Sequence, residues 1–118
     1  MRHQNINKFK VFKLHNLASA LILNTQIKTS KKNARNLIRY VEKLITVCIK
    51  YHSTSSLTLK LRCVRKLLVK LRSKFISFLL IHVLAKNFLK FKSGHLRIIN
   101  LPNEECCLIS FLYDHERY

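Results

Sequence analysis

Positive charge constrains this chain more strongly than any other feature of its sequence. Glu42 is the only acidic residue in the first hundred positions, and the whole chain carries 23 Lys and Arg against 5 Asp and Glu, a formal net charge of +18 at pH 7. Like charges repel one another within a small domain, and salt screens them only over roughly 10 Å. A compact fold of this composition therefore needs a polyanionic partner. Nucleic acid is the leading candidate, because Lys and Arg displace condensed counterions from its phosphates, and an anionic membrane surface is the second.

The hydrophobic content indicates that the chain folds in spite of this charge. Hydrophobic residues make up 48% of it, which argues against a disordered polyelectrolyte, and a length of 118 residues predicts one domain. We expect a basic RNA-binding arm at 1–10, a globular part at 11–114 and a short tail at 115–118. The longest uncharged apolar stretch, 75–85, has eleven residues, whereas a membrane span needs about 20. We therefore predict a buried helix there.

Hydrophobic periodicity and turn residues predict the order of the elements. The predicted helices span about 11–23, 30–50, 56–71 and 73–88, and the predicted strands span 25–29, 95–101 and 106–114. The residues "PNEE" at 102–105 are typical of a turn, so the last two strands should form a hairpin. The predicted fold class is α+β: a small two-layer α/β domain of order α-β-α-α-α-β-β, with the helices packed on a short mixed sheet.

The helix predicted at 30–50 has two sharply different faces. At 100° per residue its apolar side chains fall within an arc of about 120°; they are Ala34, Leu37, Ile38, Val41, Leu44, Ile45 and Cys48. Opposite them lie Lys32, Arg35, Arg39 and Lys43, spaced three or four residues apart, which places neighbouring side chains about 5–6 Å from each other. This spacing suits successive phosphates, and a solvated basic face is the alternative. Glu42 is expected to form a local ion pair with Arg39.

Two further groups of cations are candidates for nucleic-acid binding. In the first thirteen residues, Arg2, His3, Lys8, Lys10 and Lys13 alternate with Phe9 and Phe12. Rings and cations in one segment suit stacking and phosphate contacts with folded RNA, although a frayed terminus is the alternative. Around the single glycine, Gly94, lie Lys92, His95 and Arg97, where the backbone can approach a partner closely; an ordinary strand entry is the alternative.

The sequence offers no recognisable catalytic or metal-binding pattern. It has no phosphate-cradling glycine loop, no nucleophile elbow and no pair of acids placed for acid–base chemistry, so we expect neither an enzyme nor a small-molecule substrate. The four cysteines form no C-x-x-C pair, and we expect no metal and no cofactor. Cys48 and Cys63 fall on apolar helix faces, which suits reduced thiols in a cytosol-like compartment.

Five short motifs occur along the chain in a characteristic order: Met1-Arg2-His3, "NLASAL" at 16–21, "IKTS" at 27–30, "EKLIT" at 42–46 and "SGHLRI" at 93–98. Together they resemble the family of bacterial large-subunit ribosomal protein seventeen. The similarity covers 1–50 and 88–114 in the family's order. The chain departs from the family in a shorter N-terminal arm, in Ser93 and His95 where the family has glycine and tyrosine, and in "LPNEE" at 101–105 where the family has an Arg-x-Gly-Asp loop.

The resemblance implies a structural constituent of the large ribosomal subunit that binds and shapes its rRNA during translation. Its partners would be large-subunit rRNA and neighbouring large-subunit ribosomal proteins, with no membrane. The expected location is the ribosome in a bacterial cytoplasm, including that of a reduced-genome organism, with an organellar ribosome as the alternative. A cationic membrane-surface protein and a nucleoid DNA-binding protein are the competing functions. The predicted rRNA-binding residues are Arg2, His3, Lys8, Lys10, Lys13, Lys28, Lys31, Lys32, Arg35, Arg39, Lys43, Lys92, His95 and Arg97.

Overall fold

Helices and a small sheet follow one another in an order close to the predicted one. The computed structural model describes residues 2–84, 95–102 and 105–111, with side chains from residue 13 onward. The elements are α1 (Arg2–Asn24), β1 (Gln26–Ser30), α2 (Lys31–Ser53), α3 (Leu57–Leu71), α4 (Lys74–Phe78), a π-helical segment (Leu79–Leu84), β2 (Leu96–Asn100) and β3 (Cys106–Phe111). The α+β class and the predicted order of elements are confirmed.

Helix α1 begins at Arg2, so the predicted start near residue 11 is wrong. The prediction relied on apolar periodicity, which residues 2–10 lack. The backbone nevertheless continues as a helix because neither glycine nor proline, the strongest helix breakers, occurs before Gly94. The proposed arm at 1–10 is therefore helical from Arg2 onward, and its binding of RNA stays a prediction.

The junction between β1 and α2 is set by local capping. Thr25 has a positive φ of 66°, the left-handed conformation in which a helix commonly ends, and it separates α1 from β1. Ser30 is the last residue of β1 and the N-cap of α2, where its hydroxyl accepts a hydrogen bond from the Asn33 amide at 3.2 Å. The strand therefore feeds directly into the long basic helix.

The sheet has the order β1-β3-β2, and both pairs are antiparallel. A mixed sheet was predicted, and that detail is wrong. Two strands joined by a short turn must be antiparallel, which fixes β2 relative to β3. The direction of β1 depends instead on the path of the chain through the helices between β1 and β3, and hydrophobic periodicity does not specify that path. Ile27, Ile109 and Ile98 lie side by side across the three strands. The Lys31 amide also donates to the Glu105 carbonyl at 3.2 Å, which attaches the start of α2 to β3.

One hydrophobic core joins the helices to the sheet. The predicted apolar face of α2 is confirmed, since all its members are buried except Ile38, which is partly buried. From β3, alternate residues Cys107, Ile109 and Phe111 enter the same core, as expected for side chains that alternate between sheet faces. α2 therefore lies between the core and the surface, with its cations outward.

The segment 75–85 was predicted to be a buried helix, but in its described part, 75–84, only one side is buried. Ile76, Leu80 and Leu84 are buried, but Phe75 and Phe78 are 62% and 56% exposed. The helix also changes to π-helical geometry at Leu79, which shifts the angular positions of later side chains relative to an α-helix. Within the described part of the chain, no helix is long and apolar enough to cross a membrane.

Candidate nucleic-acid interface

The outer face of α2 carries a row of cations, which we call the basic stripe: Lys32, Arg35, Arg39 and Lys43. All four are exposed, on the side of the helix opposite the buried Leu37. At a rise of 1.5 Å per residue the stripe is about 16 Å long. The two-faced helix predicted from periodicity is thus confirmed as a structure.

Two open depressions lie along the N-terminal half of the basic stripe. The first, of about 380 Å³, is lined by Lys31, Lys32, Arg35, Asn36 and Arg39. The second, of about 330 Å³, is lined by Lys31, Ala34, Arg35, Ile98, Asn100 and Cys107. Lys31 and Arg35 border both, and the side of the second depression that belongs to β2 and β3 is uncharged. A curved basic surface of this kind can receive a phosphate backbone.

The C-terminal end of the basic stripe borders a third depression, between α2 and α3. Its volume is about 430 Å³, and its lining residues are Lys43, Leu44, Val47, Arg65, Lys66, Val69 and Lys70. Arg65, Lys66 and Lys70 were not among the predicted binding residues. Their position on the polar face of α3 was visible in the sequence, but only the packing of α3 against α2 places them beside Lys43. Exposed cations therefore continue from α2 onto α3, while the lining of this depression itself is apolar.

The N-terminus of α2 has an unusual charge for a helix start. The positive end of the helix dipole favours acidic residues, yet the first turn contains none and begins with Lys31 and Lys32. Two lysines at this end repel the dipole and each other, and a bound anion would reverse both effects. The charge arrangement at this end of the helix therefore favours a negatively charged partner.

Glu42 is bound to the start of β2. Its Oε1 accepts a hydrogen bond from the His95 amide at 2.8 Å, and its Oε2 lies 2.9 Å from His95 Nδ1. Among the described residues, the carboxylate contacts His95 and not Arg39, so the predicted local ion pair is wrong. His95 is fully buried, and its imidazole is used inside the fold. The prediction that the His95 side chain faces RNA is therefore corrected. It was based on the position of His95 directly after Gly94, and that position does not indicate whether the side chain is buried.

The other predicted binding residues divide into separate groups. Lys13, Lys28 and Arg97 are exposed. Lys28 is paired with Leu108 and Arg97 with Ser110, so by strand alternation both lie on the sheet face opposite Cys107 and Ile109. That face is not the one that α2 covers. The side chains of Arg2, His3, Lys8 and Lys10, and all of Lys92, lie outside what the structure describes.

A hydrogen-bonded cluster fixes α1 and α2 to the end of α3. The Tyr40 hydroxyl donates to the Lys70 carbonyl at 2.8 Å and lies 2.7 Å from His15 Nδ1, which also contacts that carbonyl. Burial, followed by the nearby charges of Arg72 and Lys70, lowers the pKa of His15 below its ordinary value. Burial raises the pKa of Tyr40 to about 12. Both groups are therefore neutral in this cluster at neutral pH.

The cysteines act as small apolar side chains. Cys48 and Cys63 are buried free thiols, as their positions on apolar faces predicted, and burial raises the pKa of Cys48 to about 12. Within the described residues, no three His, Cys, Asp or Glu side chains are grouped so as to hold a metal ion.

The fold and its charged surface define a small cationic α+β domain with a row of exposed cations along the outer side of α2. The family model of ribosomal protein L17 matches residues 13–107 of this chain, and no curated protein matches it significantly. The chain therefore belongs to the ribosomal protein L17 family, and the predicted resemblance is confirmed. Members of this family are structural constituents of the large ribosomal subunit that serve translation, and they are not enzymes. The match includes the motifs at 27–30, 42–46 and 93–98 but not Met1-Arg2-His3.

Proposed function

We propose that this protein binds and shapes large-subunit rRNA, and that the basic stripe of α2 forms the centre of the contact. The observation that carries the proposal is the row of exposed cations on α2, which runs from Lys31 through Arg35 to Lys43, beside Arg65 of α3. With a net charge of +18, this surface would bind phosphates with release of their counterions.

The burial of the apolar face of α2 favours RNA over a membrane surface. An amphipathic helix that lies in a membrane interface inserts its apolar face among the lipids. In α2 that face is in the protein core, through Leu37, Val41 and Ile45, and the exposed side chains of the helix are all polar or cationic. Neighbouring large-subunit proteins are proposed as additional partners, and a bacterial cytoplasmic ribosome as the location, with an organellar ribosome as the alternative.

Sucrose-gradient fractionation of cells that express the tagged full-length chain tests this proposal. The chain should sediment with large subunits at low salt and move to the top of the gradient after nuclease treatment. Recovery only in the soluble fractions at low salt would contradict the proposal. Binding to anionic vesicles that survives nuclease treatment would favour the membrane alternative. Displacement of structured rRNA by duplex DNA in a competition experiment would favour the DNA-binding alternative.

A further inference from the structure

A cluster of four aromatic side chains lies where the C-terminal end of α2 meets α4 and the π-helical segment. We call Tyr51, His52, Phe78 and His82 the aromatic cluster. The ring centroids of Phe78 and His82 are 4.6 Å apart, and the Tyr51 ring packs edge-on against both His52 and His82 at 5.2 and 5.8 Å. These separations are those of mutually attractive aromatic pairs. None of these residues was predicted to form a binding site.

The protein holds this cluster in a defined geometry. His52 Nε2 lies 2.6 Å from the Ile81 carbonyl, inside the π-helical segment, which joins the end of α2 to that segment. Lys60 Nζ lies 5.0 Å from the centre of the Tyr51 ring, a cation–π distance. Single π-helical turns interrupt helices frequently at functional sites. The rings are therefore pre-positioned by hydrogen bonding and packing.

One side of the cluster is open to solvent. Phe78 is more than half exposed to solvent, and so is Phe75, which lies three residues earlier on α4. Residues three apart are neighbours on a helix surface, so the two rings extend the aromatic surface. Exposure of the two phenylalanine rings to water costs roughly 25 cal/mol of free energy per Å² of apolar surface. Binding of a partner that covers them would recover this free energy.

The charges around the cluster indicate the chemistry of that partner. The acidic residues in the described part of the chain are Glu42, which is bound to His95, and Glu105, which lies next to β3. Close to the rings lies a cation instead: Lys60 Nζ is over the Tyr51 ring. Lys74, which is exposed, precedes Phe75 in the sequence. Aromatic rings beside cations and without acids suit a nucleotide, since a base stacks on the ring and its phosphates meet the lysines.

We propose that the aromatic cluster is a second RNA site that stacks an unpaired base from a single-stranded segment, with Lys60 and Lys74 contacting the adjacent phosphates. The proposal rests on the proposed function of the protein, but the site is separate from the basic stripe. Tyr51 lies about 12 Å along the axis of α2 from Lys43. At 100° per residue Tyr51 also lies about 80° around the helix from Lys43, and it packs against the core. The two sites therefore lie on different sides of α2.

RNA fits this surface better than a protein partner does. Lys60 lies over the Tyr51 ring, and both acidic residues in the described part of the chain, Glu42 and Glu105, belong to other parts of the fold. A protein partner would need an acidic surface opposite this lysine. A single-stranded RNA segment supplies both the stacking surface and the negative charge.

Fluorescence titration with two RNA probes tests the site. The first is a hairpin with one unpaired 2-aminopurine in its loop, and the second is the same stem as a fully paired duplex. Binding of the full-length chain should quench the 2-aminopurine. Phe78→Leu, which keeps an apolar side chain but removes the ring, should abolish the quenching and weaken binding of the hairpin by about 5- to 150-fold. Affinity for the duplex should remain that of the unmodified chain.

Two control variants separate stacking from folding. Phe78→Tyr keeps a ring and should retain both quenching and affinity. Val83→Ala removes an exposed aliphatic group from the same segment and should leave the binding of both probes unchanged. Equal thermal unfolding midpoints would show that Phe78→Leu is folded, which is expected because this ring is largely exposed.

The outcomes distinguish this site from the proposed function as a whole. If the unmodified chain binds neither probe, the proposed function itself fails. If it binds both probes equally and does not quench 2-aminopurine, only the aromatic site is refuted. If Phe78→Leu binds both probes normally but no longer joins large subunits, the cluster faces a protein, and the RNA site is refuted.

Discussion

The basic stripe makes the salt dependence of RNA binding predictable. Arg35, Arg39 and Lys43 are exposed and lie at successive four-residue intervals, about 6 Å apart along the axis of α2. We consider the triple variant Arg35→Gln, Arg39→Gln, Lys43→Gln. Because these side chains face away from the core, their replacement should not disturb packing, and removing like charges should reduce internal repulsion.

The size of the effect follows from counterion release. Each phosphate contact with a duplex contributes about 0.9 to the slope of log affinity against log salt, so three contacts contribute about 2.7. A rise in salt from about 50 to 200 mM changes log salt by about 0.6. Over this interval the unmodified chain should therefore lose about 40-fold more affinity than the triple variant does.

Filter binding of a large-subunit rRNA transcript over this range of salt measures the slope. The matched control is Lys50→Gln, Arg62→Gln, Arg72→Gln, which removes three exposed charges that lie outside the basic stripe and outside the aromatic cluster. The control should change the slope by clearly less than the stripe variant. Equal slopes for both variants would show that only the net charge matters, and an unchanged slope for the stripe variant would remove the stripe from the interface.

Two further predictions concern the interactions that hold the fold together. Glu42→Ala should lower the free energy of unfolding by about 2–3 kcal/mol, because the His95 amide and ring lose a charged acceptor. Glu42→Gln keeps one acceptor oxygen and should cost less in chemical denaturation, and equal stability of all three proteins would contradict the assignment. Since the folded state lowers the pKa of His15 below 6.5, its contribution to stability is complete above pH 6.5 and is lost as pH falls from there through the lowered pKa. Thermal unfolding from pH 8 to 5 should therefore show a smaller loss of stability for His15→Gln than for the unmodified chain, and parallel curves would refute this.

Hydrophobic periodicity was sufficient to predict the buried and exposed faces of α2, but it did not predict the start of α1 or the exposed side of α4. The separation of cations and apolar residues around α2 depends only on 3.6-residue periodicity, and Leu37 and Arg39 lie where it predicts. The start of α1 was missed because residues 2–10 are helical without an apolar repeat. The exposure of Phe75 and Phe78 was missed because an all-apolar segment does not specify which face the core will cover.

Long-range contacts were also hidden from sequence reasoning. Glu42 binds His95 from 53 positions away, whereas local spacing suggested Arg39, three residues away. Lys43 shares a depression with Arg65 and Lys66 only because α3 folds back on α2. The direction of β1 in the sheet likewise depends on the path of the chain through three helices.

The need for a polyanion, the faces of α2 and the family resemblance follow from the order of residues alone, because charge and helical periodicity are properties of composition and of short segments. The extent of the basic surface, the burial of His95 and the assembly of the aromatic cluster required the packed chain. Each of these joins residues far apart in sequence, and such contacts form only where the burial of a shared core brings distant segments together.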